Sequence, residues 1–330
     1  MIQHPGILAI LGASLLASLL LVYAAGLGVR ILRSWRPDSG SELQLSLERR
    51  TYLVSTILGL VFAFEIASLF LFIFTADRLH SQFVGAMCAA GSLGANAFGY
   101  PALLAKMVAC FWAGVWLIVN HADTRGYDYP LVRFKYGMLL GLVPLVLLDH
   151  LLVYRYFTGL AADVITSCCG SLFSVEQGSL SADLAALPAR PMMKAFYGSM
   201  AATLAAGLFF RWRGRGATLF SALSLASLLI AAASLLSFIC LYLYELPTHH
   251  CPFCMLQEEY GYLGYLLYAC LLGGGVAGLG VGVLALCQGP ASLSRVIPPL
   301  QRRLATLAIS LYAVFTLIAS YRMLATPFRL

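Results

Sequence analysis

The sequence contains little charge and no long polar segment. Only 11% of its 330 residues are charged, whereas 61% are hydrophobic, and the mean hydropathy is +0.86. A soluble domain of this length needs far more polar surface. We also find no P-loop, dinucleotide fingerprint, HExxH zinc motif or nucleophile elbow, so the sequence offers no nucleotide site and none of the common hydrolytic sites. These absences indicate a polytopic membrane protein.

The first residues, "MIQHPG", lack the basic segment and the small-residue cleavage site of a signal peptide. We therefore expect the first apolar run to be a retained helix. The net charge of +7 comes mainly from basic residues in short loops between apolar runs, which is typical of membrane topology and not of a nucleic-acid binder. The partners we expect are membrane lipid and other proteins.

Eight stretches hold the roughly 20 apolar residues that a membrane-spanning helix needs. Their predicted positions are 6–29, 52–76, 102–120, 137–157, 193–210, 217–244, 259–286 and 305–326. We expect an all-α fold, with the spans grouped into two four-helix halves, 1–157 and 193–330, on either side of a loop at 158–192. Small-residue runs such as "LLGGGVAGLGVG" (271–282) would let helices approach closely.

The basic residues predict the orientation of these spans. If the N-terminus is outside, the inner loops at 30–50, 125–135, 211–215 and 295–303 hold fourteen of the 21 Lys and Arg residues. The positive-inside rule then places both termini outside. In a bacterium this means the inner (cytoplasmic) membrane, with both termini in the periplasm.

The predicted topology divides the nine cysteines into two groups. Four lie within or at the ends of apolar helices, where thiols usually pack as small hydrophobic groups: Cys110, Cys240, Cys270 and Cys287. Five lie in outer loops, on the oxidising side where disulfide bonds persist: Cys88, Cys168, Cys169, Cys251 and Cys254. Five is an odd number, so complete pairing within the chain would leave one thiol. After Cys168 and Cys169, apolar residues spaced by three and four predict a short amphipathic helix on the membrane surface.

The segment "HHCPFCMLQEEYGYLGYLLY" (249–268) carries the most specific motif. Pro247 is expected to end the preceding helix, and Cys251 and Cys254 to occupy the first turn of the next. The positive end of a helix would lower the pKa of a thiol there, which favours both metal binding and redox chemistry. No histidine follows Cys254 directly, so covalent haem attachment is not expected.

The motif "CPFCMLQ" at the start of an apolar run resembles the Cys-X-X-Cys segment of the bacterial quinone-dependent disulfide oxidases of the DsbB type and of vitamin K epoxide reductase. The likeness covers only residues 247–268. It implies a helical bundle in which Cys251 and Cys254 exchange electrons with quinone. It further implies that Cys168, Cys169 or Cys88 relays electrons from a soluble thiol protein.

Three functions remain open at this level. The first is a membrane thiol–disulfide oxidoreductase that uses the outer cysteines. The second is binding or transport of a soft metal ion, such as copper, zinc or mercury, because imidazole, thiolate and thioether groups occur together. Its candidate ligands are His249, His250, Cys251, Cys254 and Met255. The third is a non-catalytic membrane subunit that docks a periplasmic or membrane partner.

Four ionisable residues fall inside predicted spans of the N-terminal half: Glu65, Lys106, Asp149 and His150. Such residues are costly in a bilayer and usually face a partner or a cavity. One interpretation is a buried pair of Lys106 with Asp149 or Glu65 that joins helices. The other is a polar cavity that binds an ion, a proton or a ligand.

Overall fold

The computed structural model describes residues 3–36, 39–126, 128–161, 164–166 and 180–328. These residues are almost entirely helical, and their only β pairing is an isolated bridge between Val84 and Ile165. Seven helices are long and apolar enough to cross a membrane, so the chain is a multi-pass membrane protein. The helices are α1 (Pro5–Ser34), α2 (Glu42–Arg78), α3 (Ala89–Leu93), α4 (Gly99–Arg125), α5 (Val132–Thr158), α6 (Leu180–Ala185), α7 (Ala189–Arg213), α8 (Ala217–Ser234), α9 (Cys240–Tyr244), α10 (Leu263–Leu286) and α11 (Ile297–Ala325).

The chain packs into two compact units that are not continuous in sequence. The first contains Met1–Thr75, Asn96–Ala161 and Leu286–Leu300, and the second contains Ala76–Ala95, Ala162–Ala285 and Gln301–Leu330. The loop that carries Cys88 therefore belongs to the same unit as the CPFC motif.

The first unit is built on α1, α4, α5 and most of α2. Its core contains Phe62 and Trp116, whose rings meet edge to face with centroids 4.8 Å apart. A fully buried ion pair joins Lys135 to Asp123 at 2.6 Å, and Asp123 also accepts the backbone N–H of Leu131. The Lys135 charge and the hydrogen bond from Leu131 offset the cost of burying the Asp123 carboxylate.

The second unit packs α10 closely against its neighbours, as the small-residue run predicts. A Cβ atom added at Gly278 would overlap Ser224 of α8, and one at Gly282 would overlap Ser221. A Cβ atom added at Gly274 would lie 3.2–3.3 Å from ring atoms of Tyr312 of α11. The Tyr312 hydroxyl donates to the Ser224 carbonyl. Glycine is required here because any side chain would separate the helices.

The helix α7 covers the predicted span at 193–210 and is long enough to cross a bilayer, but it is not among the seven helices that qualify by composition. Basic residues at both of its ends shorten its apolar stretch: Arg190, Lys194, Arg211 and Arg213. The predicted amphipathic helix of the outer loop corresponds to α6, which covers Leu180–Ala185.

A buried three-cysteine cluster as the candidate functional site

Cys88, Cys251 and Cys254 meet inside the second unit. Their sulfur atoms all lie within 4.8 Å of one another, and the Sγ atoms of Cys88 and Cys251 are 3.6 Å apart. All three side chains are buried, and none of the three forms a disulfide bond in the described part of the chain. Residues 163 positions apart in the sequence are thus brought within reach of a single bond or a single metal ion.

The predicted helical setting of the CPFC motif is wrong. Helix α10 begins only at Leu263, and Cys254 lies in a short 3₁₀ turn, Cys254–Leu256. Pro252 favours a looped path, and the left-handed backbone at Gly261 (φ 59°) and Tyr262 (φ 55°) delays the start of the helix to Leu263. A helix N-terminus therefore contributes nothing to these thiols.

Two tyrosine hydroxyls hold the CPFC loop in place. Tyr244, at the end of α9, donates to the carbonyl of Cys251 at 2.7 Å and accepts from the N–H of Met255 at 2.8 Å. Tyr268 of α10 donates to the carbonyl of Pro252. The Cys251 carbonyl also accepts a hydrogen bond from the thiol of Cys240, whose Sγ lies 3.6 Å away. The sequence did not single out Tyr244, and it suggested plain packing for Cys240.

The two adjacent histidines, His249 and His250, have different contacts, and a π-helical turn at Leu235–Ile239 provides the contact of His250. Such a turn leaves carbonyl groups without their usual helical partners, and the Leu236 carbonyl binds Nδ1 of His250 at 2.7 Å. His249 instead packs edge to face on Tyr244, and its Nε2 lies 3.3 Å from Sγ of Cys254. Of the two predicted histidine ligands, His249 is the one that contacts the cluster.

The loop that carries Cys88 is fixed from two sides. The Oδ1 atom of Asp77 accepts the N–H of Ala89 at 3.0 Å, which holds the start of α3 directly after Cys88. The side-chain amide of Gln257 donates to the carbonyl of Met87 at 2.7 Å. Gln257 follows the CPFC motif by three residues, so it ties the two cysteine loops together. Neither residue carries a motif that the sequence could have revealed.

The three thiols are not equivalent in acidity. Hydrogen bonds from Cys254 and Cys88 lower the pKa of Cys251 well below its usual range and outweigh the effect of burial. The same interaction raises the pKa of Cys254, because its thiol is the donor. Burial lowers the pKa of His249, which favours its neutral imidazole form at pH 7. Of the two thiols of the CPFC motif, Cys251 is therefore the one that loses its proton more readily.

Two other predicted residues have different settings. Cys168 and Cys169 lie outside the described residues, although Thr166, two residues earlier, donates its N–H to the Val84 carbonyl at 2.9 Å. Met255 is buried, and its side chain packs on Gly264 at the start of α10.

The four ionisable residues predicted inside the bilayer form one network in the first unit. Nζ of Lys106 lies 2.9 Å from Asp149 and 3.8 Å from Glu65, so both predicted pairs are confirmed. Nε2 of His150 lies 2.6 Å from Oε1 of Glu65, and Ser68 accepts a hydrogen bond from Lys106. The network joins α2, α4 and α5.

Comparisons with protein-family models, with curated proteins and with solved structures find no match for this chain. The class is therefore defined by its own fold and site: a multi-pass helical membrane protein with a buried cluster of three cysteines, next to a neutral histidine.

Proposed function

We propose that the protein is a membrane thiol–disulfide oxidoreductase whose reactive unit is Cys88, Cys251 and Cys254. The observation that carries this proposal is the 3.6 Å separation of the Cys88 and Cys251 sulfurs, combined with the thiolate character of Cys251. Thiol–disulfide exchange requires a thiolate near a sulfur that can be attacked, and a leaving group of low pKa accelerates it.

The exchange proceeds in balanced steps. In the oxidised protein, Cys251 and Cys254 share a disulfide, and the Cys88 thiolate attacks Cys251 to release Cys254, which takes up a proton. A thiolate of an incoming dithiol attacks Cys88 and releases Cys251, whose low pKa favours its departure. The second donor thiol resolves the mixed disulfide, so the donor becomes a disulfide. Cys251 and Cys254 then pass two electrons to a quinone, which takes up the Cys254 proton and one proton from solvent and becomes a quinol.

The segment before Cys168 and Cys169 supports these residues as the electron relay. Thr166 is held against Gly85, where a Cβ atom would overlap the Thr166 carbonyl and where φ is +85°. Gly85 precedes Cys88 by three residues. The described chain is thus anchored at Thr166, beside the loop that carries Cys88.

The contact between Cys88 and Cys251 supports α7 as the eighth span. It also supports the prediction that the cysteine loops lie on one side of the membrane. Cys88 and Cys251 meet, so the chain must cross the bilayer an even number of times between them. Three of the qualifying helices lie in that interval, namely α4, α5 and the continuous span Ala217–Tyr244. Counting α7 makes four crossings. The whole chain then has eight spans, and both termini lie on the side of the cluster, which the positive-inside rule assigns to the periplasm.

Steady-state oxidation of a dithiol in the presence of a quinone tests the proposal. The protein in lipid nanodiscs is expected to reduce ubiquinone-1 at the expense of dithiothreitol, and Cys251→Ser is expected to lower the rate above background by about 1,000-fold or more. The matched control is Cys270→Ser, which replaces a buried thiol of α10 and should keep the wild-type rate. Equal rates for Cys251→Ser and Cys270→Ser would contradict the assignment.

The position of His249 favours a second candidate, the binding of one soft metal ion. Three thiolates and one imidazole form a recognised tetrahedral ligand set. A zinc–sulfur bond of about 2.3 Å implies sulfur–sulfur edges of about 3.8 Å, close to the 3.6 Å between Cys88 and Cys251. The nitrogen–sulfur contact of His249 and Cys254, 3.3 Å, is of the same order.

The two adjacent histidines provide a matched test of metal binding. If the cluster is a metal site, the reduced protein binds one Zn(II) or Cu(I), and His249→Gln weakens binding by about 10- to 100-fold. His250→Gln should leave the affinity unchanged, because His250 binds the Leu236 carbonyl. Metal binding that is insensitive to His249→Gln and Cys254→Ser would exclude this site.

A further inference from the structure

A hydroxyl group in the first unit has two competing partners, and this makes the buried network able to take up a proton. Oγ of Ser18 lies 2.8 Å from the Ser14 carbonyl and 2.7 Å from Nδ1 of His150. A serine hydroxyl has one hydrogen. It can donate to the carbonyl or to the imidazole, but not fully to both.

Each choice fixes a protonation state of His150. When Ser18 donates to Nδ1, the imidazole is neutral and its Nε2–H donates to Glu65, 2.6 Å away. When Ser18 donates to Ser14, Nδ1 must carry a hydrogen and donate to Ser18. In that state both ring nitrogens are protonated, and the imidazolium faces the Glu65 carboxylate.

The charges of the surrounding groups favour the protonated state. The side chains that face the pair are Glu65 from α2, Lys106 from α4 and Asp149 beside His150 on α5, whereas α1 contributes only the uncharged Ser14 and Ser18. With neutral His150, the four ionisable groups have a net charge of −1, and protonation brings it to zero. A neutral network is the less costly one inside a bilayer. Oδ1 of Asp149 is buried and has no hydrogen-bond partner among the described residues, so the negative charge is incompletely compensated.

A groove in the first unit borders His150. Its volume is about 430 Å³, it lies between α1 and α5, and its lining includes Ser14, Ser18, Leu147, His150, Leu151 and Tyr154. His150 is 7% exposed, whereas Glu65 and Asp149 are almost fully buried. Nδ1 of His150, which contacts a groove-lining serine, is thus the ring nitrogen on the groove side of the pair.

We propose that His150, Ser18 and Glu65 form an intramembrane proton-binding site, loaded through the groove between α1 and α5. The proton comes from groove water and binds Nδ1 of His150. The Ser18 hydrogen turns from His150 to the Ser14 carbonyl, and the Nε2–H bond to Glu65 is kept. A metal ion is not the ligand, because the Lys106 ammonium already lies between the two carboxylates. The site lies in the first unit and is independent of the cysteine chemistry.

Nitrogen-15 NMR of histidine-labelled protein in lipid bilayers tests the proposal. One histidine, assigned by its loss in His150→Gln, is expected to change from the neutral Nε2–H form to the doubly protonated form as the pH falls. Ser18→Ala should change the pH range of this transition, because it removes the hydroxyl that contacts Nδ1 of His150.

The matched control is Tyr154→Phe, which changes a half-exposed residue of the same groove and should leave the transition in place. A His150 signal that keeps one protonation state between pH 4 and 9 would overturn the proposal. So would a transition that Ser18→Ala and Tyr154→Phe shift equally. If His150→Gln does not fold, Ser18→Ala and Tyr154→Phe still give the comparison, since neither residue carries a charge.

Discussion

Cys254→Ser is expected to stop quinone reduction and to accumulate a disulfide between Cys88 and Cys251. These two sulfurs are already 3.6 Å apart, and the low pKa of Cys251 favours its thiolate form. In the wild type, Cys254 attacks Cys251 and releases Cys88, and the reduced pair of Cys251 and Cys254 passes two electrons to quinone as it forms its disulfide. Serine cannot do so, because its hydroxyl is neither a nucleophile toward sulfur nor a redox group. Turnover is expected to fall by about 1,000-fold or more.

Mass spectrometry of non-reduced peptides measures this trapped species. Peptides that contain Cys88 and Cys251 should be joined in most Cys254→Ser molecules and in few wild-type molecules. The complementary variant, Cys88→Ser, should keep the Cys251–Cys254 disulfide and its reaction with quinone, but should lose most of its rate with a dithiol donor. A Cys254→Ser protein whose Cys88 and Cys251 both remain thiols under air would contradict the proposed exchange.

Lys106→Met is expected to destabilise the first unit by about 3–5 kcal/mol, because it leaves the Asp149 carboxylate buried without its cation. Asp149 is fully buried and lies 2.9 Å from Nζ of Lys106, and His150 already pairs with Glu65 on the other side. Truncating one member of a buried pair costs more than replacing both. Methionine keeps the length and the apolar stem of lysine, so the loss of packing is small.

The double variant Lys106→Met/Asp149→Leu is the control that separates charge from packing. It removes both charges, and we expect it to recover most of the lost stability. Reversible unfolding in mixed detergent–lipid micelles, followed by circular dichroism, gives the free energies. If the single and double variants are equally unstable, packing at Lys106 matters more than the ion pair.

The sequence predicts the helical class and the buried polar network well, because both follow from the membrane. Twenty-residue apolar runs must be helical in lipid, and ionisable groups inside them must find partners. The pairs of Lys106 with Asp149 and Glu65 follow directly from that argument. The close approach at Gly278 follows equally well from the small-residue run.

The cysteine site was only half predictable. The motif identified Cys251 and Cys254, and the loop pattern suggested Cys88, but hydrophobicity gave no way to know that α10 begins nine residues after Cys254. The supporting groups come from distant positions whose role depends on packing: Tyr244 holds the loop, and Gln257 ties it to Met87. The π-helical turn that binds His250 leaves no periodic signal in an apolar span.

An anaerobic quinone titration shows whether Cys88, Cys251 and Cys254 form one two-electron unit. The protein would be fully reduced, freed of metal, and carry Cys168→Ser and Cys169→Ser to exclude a second pair. We expect one quinol per protein and the loss of two thiols, both from the three-cysteine cluster. No quinol, with all three thiols still reactive or held by a stoichiometric metal ion, would contradict it.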